Sequence, residues 1–78
     1  MLVNVTGAEY VAEYKIRLTF EDGKTGVVDL ETLDKTGFFA ELGDLKYFRS
    51  FYLHEELGTI CWPHGQDVAP ETLYEKLQ

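Results

Sequence analysis

The sequence predicts an α+β fold. A small antiparallel sheet of about five strands, drawn from two hairpin regions, is joined by short central helical turns and closed by a C-terminal helix. Three observations lead there. Tyr14, Ile16, Leu18 and Phe20 alternate with Lys15, Arg17 and Thr19, the period-two pattern of a strand with one buried face. The stretch "RSFYLHEELGTICW" repeats a strand–loop–strand pattern farther on. Pro70 then opens a run in which Leu73 and Leu77 stand four residues apart, on one face of a helix.

Taken in order, "LVNVTGAEYV" reads as a first strand, with a bulge or kink at Gly7. The alternating run 14–20 is the second. Asp22-Gly23 supplies the positive-φ residues of a primed hairpin turn, and the partner strand runs from about Lys24 to Leu30. In "LETLDKTGFFAELGDLKYF", Leu30, Leu33, Phe38, Leu42 and Leu45 recur near helical spacing. Gly37 and Gly43 interrupt them, so two or three short turns are expected, with Asp44 capping the last. The second hairpin places strands at about 49–54 and 59–62 around the loop "EELG". Alternation along "TICW" puts Cys61 and Trp62 on opposite faces, one inward and one outward.

With 78 residues, the chain reads as one domain, 1–78. Cys61 is the single cysteine, which excludes an internal disulfide and fits a reducing, cytoplasmic location. No apolar run approaches the ~20 residues of a membrane span, and the N-terminus lacks the basic, apolar pattern of a signal peptide. Fourteen acidic side chains face seven scattered basic ones, a net charge of −7. Direct nucleic-acid binding draws on clustered Lys and Arg and is not expected; a basic protein partner is. Five Phe, five Tyr and one Trp make 14% of the chain, more aromatic surface than so small a domain encloses.

The stretch "CWPHGQDVAPETLY", residues 61–74, concentrates the unusual residues. Cys61, His64 and Asp67 suggest metal ligands, but only the distant His54 could complete a set, so neither metal nor cofactor is expected. A turn explains more. Pro63 keeps Trp62 extended, Gly65 permits a left-handed reversal, and Pro70 suits the first helical position. Ala69 is a poor cap, so Asp67 is expected to offer its carboxylate to the amides of Glu71 or Thr72. Nucleophilic catalysis finds no support either. Ser50, the only serine, lacks a Gly-x-Ser-x-Gly elbow, and neither His54 nor His64 has a visible orienting partner.

These pieces also form an ordered set: "LTFEDGKTGVVDL", then "FFAELGDLKYF", then "ICWPHGQDVAPETLY". In that order the chain resembles the bacterial family known as domain of unknown function 2442. The resemblance rests on the F-x-D-G turn at Phe20, Asp22 and Gly23, the pair Asp29-Leu30, and the run from Trp62 through Pro63, Gly65, Asp67, Pro70 and Glu71 to Tyr74. It implies a small α+β domain of uncharacterised activity. Some relatives carry an added C-terminal helix-turn-helix, which is not expected here because the chain stops at Gln78. Relatives also tend to occur beside a second small protein of family 4160, a pairing similar to a toxin–antitoxin module.

The expected function is therefore a non-enzymatic, acidic protein-interaction domain, the antitoxin-like member of such a module, with homo-oligomerisation left open. Its expected surface gathers Tyr47, Tyr52, Trp62 and Tyr74 beside Glu55 and Glu56. The bland alternative turns these aromatics inward as core. A second reading is a small-ligand or accessory domain with a pocket lined by Trp62, His64, Asp67 and Tyr74.

Overall fold

The computed structural model describes residues 3–33 and 35–77. Three strands, β1 (Val5–Ala12), β2 (Lys15–Phe20) and β3 (Thr25–Asp29), form an antiparallel sheet in the order β1-β2-β3. The alternation of β2 does what its pattern demands. Ile16, Leu18 and Phe20 are buried and Arg17 is exposed. The irregularity at Gly7 is real, a register shift between Val5 and Gly7, and a second one lies between Tyr10 and Ala12. β1 and β2 are joined through Glu13, the one non-glycine residue with positive φ among those described.

The Asp22-Gly23 turn forms, but it is not a primed turn. Gly23 N–H bonds to Phe20 O, Phe20 N–H bonds to Lys24 O, and only Gly23 has positive φ (90°). This is a three-residue loop closed by a left-handed glycine. Asp22 stays at negative φ and accepts the Lys24 amide on its own carboxylate at 2.9 Å.

After β3, the Asp29 carboxylate accepts the amide of Glu31 and turns the chain. A 3₁₀ segment, Gly37–Gly43, leads into the four-residue helix α1 (Leu45–Phe48). Asp44 caps α1 as its sequence position suggests, accepting from Lys46 N–H at 3.0 Å. The second hairpin is shorter than its pattern, β4 (Tyr52–His54) against β5 (Thr59–Cys61). Helix α2 (Pro70–Glu75) carries Pro70 in its first turn; Leu73 is fully buried and Leu77 packs partly against the core.

One core unites these parts: Ile16, Leu18, Phe20, Val28 and Leu30 from the first sheet meet Leu42, Phe48, Ile60, Trp62 and Leu73. The two sheets are tied where Val5 N–H bonds to Gly58 O. Gly58 has φ of +64°, and a Cβ there would lie 2.3 Å from Asn4 Oδ1. Any Cβ there would have to displace the Asn4 side chain.

Both Cys61 and Trp62 are buried, against the expectation that one faces outward. The chain after Trp62 folds back along β5. Asp67 bridges Cys61, and the buried Thr59 hydroxyl donates to Val68 O. All three β5 residues are buried, so both faces of the strand are covered and alternation no longer separates inside from outside.

Candidate functional site

The loop after β5 repeats the geometry of the first hairpin. Gly65 N–H bonds to Trp62 O, Trp62 N–H bonds to Gln66 O, and Gly65 takes φ of +99°. Pro63 occupies the second position of this turn, where its fixed φ is favoured. The Trp62 indole N–H donates to Phe48 O at 2.8 Å. Trp62 is 0% exposed, so it belongs to the core and to neither the expected surface nor a pocket wall.

Asp67 does not cap α2. Ala69 is the cap residue, and no side chain bonds the free amides there. Asp67 is held in the extended bridge opposite Cys61, and extended backbone at Ala69 carries the chain on to Pro70. The exposed Asp67 carboxylate has no hydrogen bond or ion pair among the described residues.

The loop also assembles a polar cluster that its sequence did not announce. Gln66 is completely buried, yet both ends of its side-chain amide are used. Its amide donates to Phe38 O at 3.0 Å and to Glu41 Oε1 at 3.1 Å, and its carbonyl accepts the Tyr47 hydroxyl at 2.6 Å. Tyr47 oxygen in turn accepts His64 N–H at 3.0 Å. His64 Nδ1 lies 2.8 Å from Glu41, and its ring lies against that of Tyr47, with centroids 5.2 Å apart. The hydrogen bond with His64 holds the Glu41 carboxyl below its usual range. Glu41 fixes the His64 ring with Nδ1 as donor, leaving Nε2 outward. No hydroxyl or thiol meets Nε2 among the described residues.

Tyr74 is tied elsewhere. Its hydroxyl donates to Asp22 Oδ2 at 2.8 Å, its ring meets Phe20 edge-on, and Lys24 lies over its face. The Lys24 amide, then the Tyr74 hydroxyl, hold the Asp22 carboxyl below its usual range, while Asp22 pushes the Tyr74 hydroxyl up. Trp62, His64, Asp67 and Tyr74 therefore do not line one pocket. Each has a different environment.

Cys61, His54 and His64 do not converge. The Cys61 thiol is pushed up by burial and then by the charge of Asp67, the reverse of what a nucleophile requires. His54 Nδ1 accepts the Leu57 amide. Among the described residues, no three His, Cys, Asp or Glu are grouped to hold a metal, and no helix is long and apolar enough to cross a membrane.

Of the expected surface, Tyr52, Glu55 and Glu56 are exposed together on the second hairpin, with Leu53 and His54 around a shallow hollow of about 360 Å³. Tyr47 and Tyr74 are half-buried, Tyr47 bonded to the buried Gln66 and Tyr74 to the exposed Asp22 carboxylate. A more apolar groove of about 380 Å³ lies between the 3₁₀ segment and the start of α2, lined by Leu33, Phe39, Val68 and Ala69 together with the polar Thr36, Thr72 and Asp67.

A family model described as a protein of unknown function (DUF2442) matches residues 5–78. The chain belongs to this family. No curated protein and no solved structure matches it. Within this DUF2442 member, two of the three motifs that carry the resemblance meet in space. Asp22-Gly23 and Tyr74 join through the 2.8 Å bond, while Trp62 to Gly65 and Pro70 shape the return to the sheet.

Proposed function

We propose that the protein is a non-enzymatic interaction domain that engages a basic protein partner through its second hairpin. The observation that carries this reading is the patch at β4 and its loop. Tyr52 is 47% and Leu57 52% exposed, beside the exposed carboxylates of Glu55 and Glu56. Exposed aromatic and aliphatic surface rimmed by one sign of charge suits a protein partner better than a small ligand, which needs converging polar groups. The net charge of −7 favours a basic partner and opposes direct contact with nucleic acid or anionic membrane. In its finer form this reading makes the chain the cytoplasmic, antitoxin-like member of a two-protein module.

The test is affinity capture from the native host, followed by mass spectrometry, with wild type and a Tyr52→Ala/Leu57→Ser variant side by side. The reading expects one basic protein captured by wild type, weakened by salt, and lost in the variant while circular dichroism is unchanged. Capture that is indifferent to both changes would refute it. Sedimentation of the pure protein separates a heterologous partner from self-association.

A further inference from the structure

We infer that the groove between the 3₁₀ segment and α2 receives an arginine or lysine side chain of a protein partner, with Asp67 as its counter-ion. The groove deepens the interaction reading by naming what the partner contributes, and it rests on that reading for there being a partner at all.

Asp67 is the starting point. Its backbone is committed to the bridge with Cys61, but its exposed carboxylate has neither a hydrogen bond nor an ion pair among the described residues. A cation from the same chain stands close in sequence to the groove wall, yet it is taken. Lys35 Nζ donates to the carbonyls of Leu30, Glu31 and Leu33 and lies 4.7 Å from the centre of the Tyr14 ring. The His64 ring, the group of the Asp67 loop able to carry a positive charge, is held by Glu41 instead.

What surrounds the carboxylate sets the chemistry of its partner. Leu33, Phe39, Val68 and Ala69 provide apolar walls, and Thr72 adds a hydroxyl. At about 380 Å³ the groove is at the small end of the roughly 300–1,000 Å³ of ligand pockets, and it opens to solvent. Apolar walls with the Asp67 carboxylate among them match a long aliphatic stem with a cationic head. Arginine fits best, because its planar fork meets a carboxylate through two hydrogen bonds. An anionic head is disfavoured by Asp67 and by the net charge of −7.

The test is a titration followed by backbone amide NMR, with two acetylated, amidated pentapeptides, Leu-Gly-Arg-Gly-Leu and its glutamine counterpart. Agmatine serves as the free small-molecule probe. Saturable shifts confined to Leu33, Phe39, Val68, Ala69 and Thr72 are expected with the arginine peptide. Asp67→Asn should weaken that binding by about tenfold, the worth of a charge-assisted hydrogen bond, with the spectrum otherwise native. Thr72→Arg, which offers a guanidinium from within, should compete and weaken it too. Shifts scattered over the acidic surface and unchanged in Asp67→Asn would overturn the assignment. Equal binding of the glutamine peptide would do the same. Agmatine binding far tighter than the arginine peptide would make the groove a small-amine site and overturn the protein partner. A captured protein whose retention depends on Tyr52 but not on Asp67 would sink the groove and leave the hairpin reading intact.

Discussion

Gly58→Ala measures how strongly the two sheets are tied. Two costs arise at once. At φ of +64° an L-residue with a Cβ pays the left-handed penalty, about 1–2 kcal/mol. The new methyl would also lie 2.3 Å from Asn4 Oδ1 and 3.0 Å from Asn4 Cβ. Oδ1 can swing away, but Cβ moves only with the backbone that carries the neighbouring Val5 N–H to Gly58 O bond, worth about 0.5–1.5 kcal/mol net. The expected loss is therefore roughly 2–3 kcal/mol, a large part of the ~3–5 kcal/mol that a core this small supplies. Gly23→Ala is the control, because its φ is +90° but nothing lies within 4 Å of a new Cβ. It should cost only the backbone strain, about 1–2 kcal/mol. Urea unfolding read by the fluorescence of Trp62, wholly buried in the fold, gives each value. Asn4→Gly in the Gly58→Ala background should recover about 1 kcal/mol beyond additivity. Equal losses at Gly58 and Gly23, with no coupling to Asn4, would refute the steric argument.

Three further expectations concern the core and its polar ties. Trp62→Phe removes the donor to Phe48 O and leaves unfilled volume, so it should cost about 2–4 kcal/mol by urea unfolding followed by circular dichroism. Because the folded Asp22 carboxyl titrates below its ordinary 3.8, its stabilising contribution is present above that value. It is lost as pH falls through the lowered one. Tyr74→Phe keeps the ring but not the bond, so acid titration of its melting temperature should show a shallower loss than wild type below about pH 4. Gln66→Glu sets a buried carboxylate beside Glu41 Oε1, and should cost about 3 kcal/mol or more at pH 7. That loss should shrink as acid neutralises the new group, as melting curves at pH 5 and 7 would show.

The elements were legible where local pattern decides them. The alternation of Ile16, Leu18 and Phe20, the Asp44 cap and Pro70 at the start of α2 each needed only near neighbours. The Asp22-Gly23 reversal was legible as a turn but not as a type, because the Lys24 amide on the Asp22 carboxylate keeps Asp22 out of positive φ. Asp67 was misread for a related reason. Its place just ahead of a weak cap suggested a capping role, but pairing with Cys61 fixes its backbone first. Gln66 drew no reading from the sequence, since a polar residue in a loop gives no sign of burial. Its partners Phe38 and Glu41 lie 28 and 25 residues earlier, and only the folded chain reveals them. Trp62 was placed at the surface by counting aromatics, a measure that cannot say which of them the core selects.

The bond between Tyr74 and Asp22 makes α2 a reporter for a distant part of the chain. Six residues are far too few for a helix to persist alone in water, where isolated helices shorter than ~12–15 residues are marginal. Its helicity is borrowed from the burial of Leu73 and from the turn 52 residues earlier on which Tyr74 rests. Opening the tip of the first hairpin therefore removes one of the two supports of the last helix. An isotope-edited amide vibration placed in α2 would register motion at Gly23, although no covalent neighbour of Gly23 carries the label.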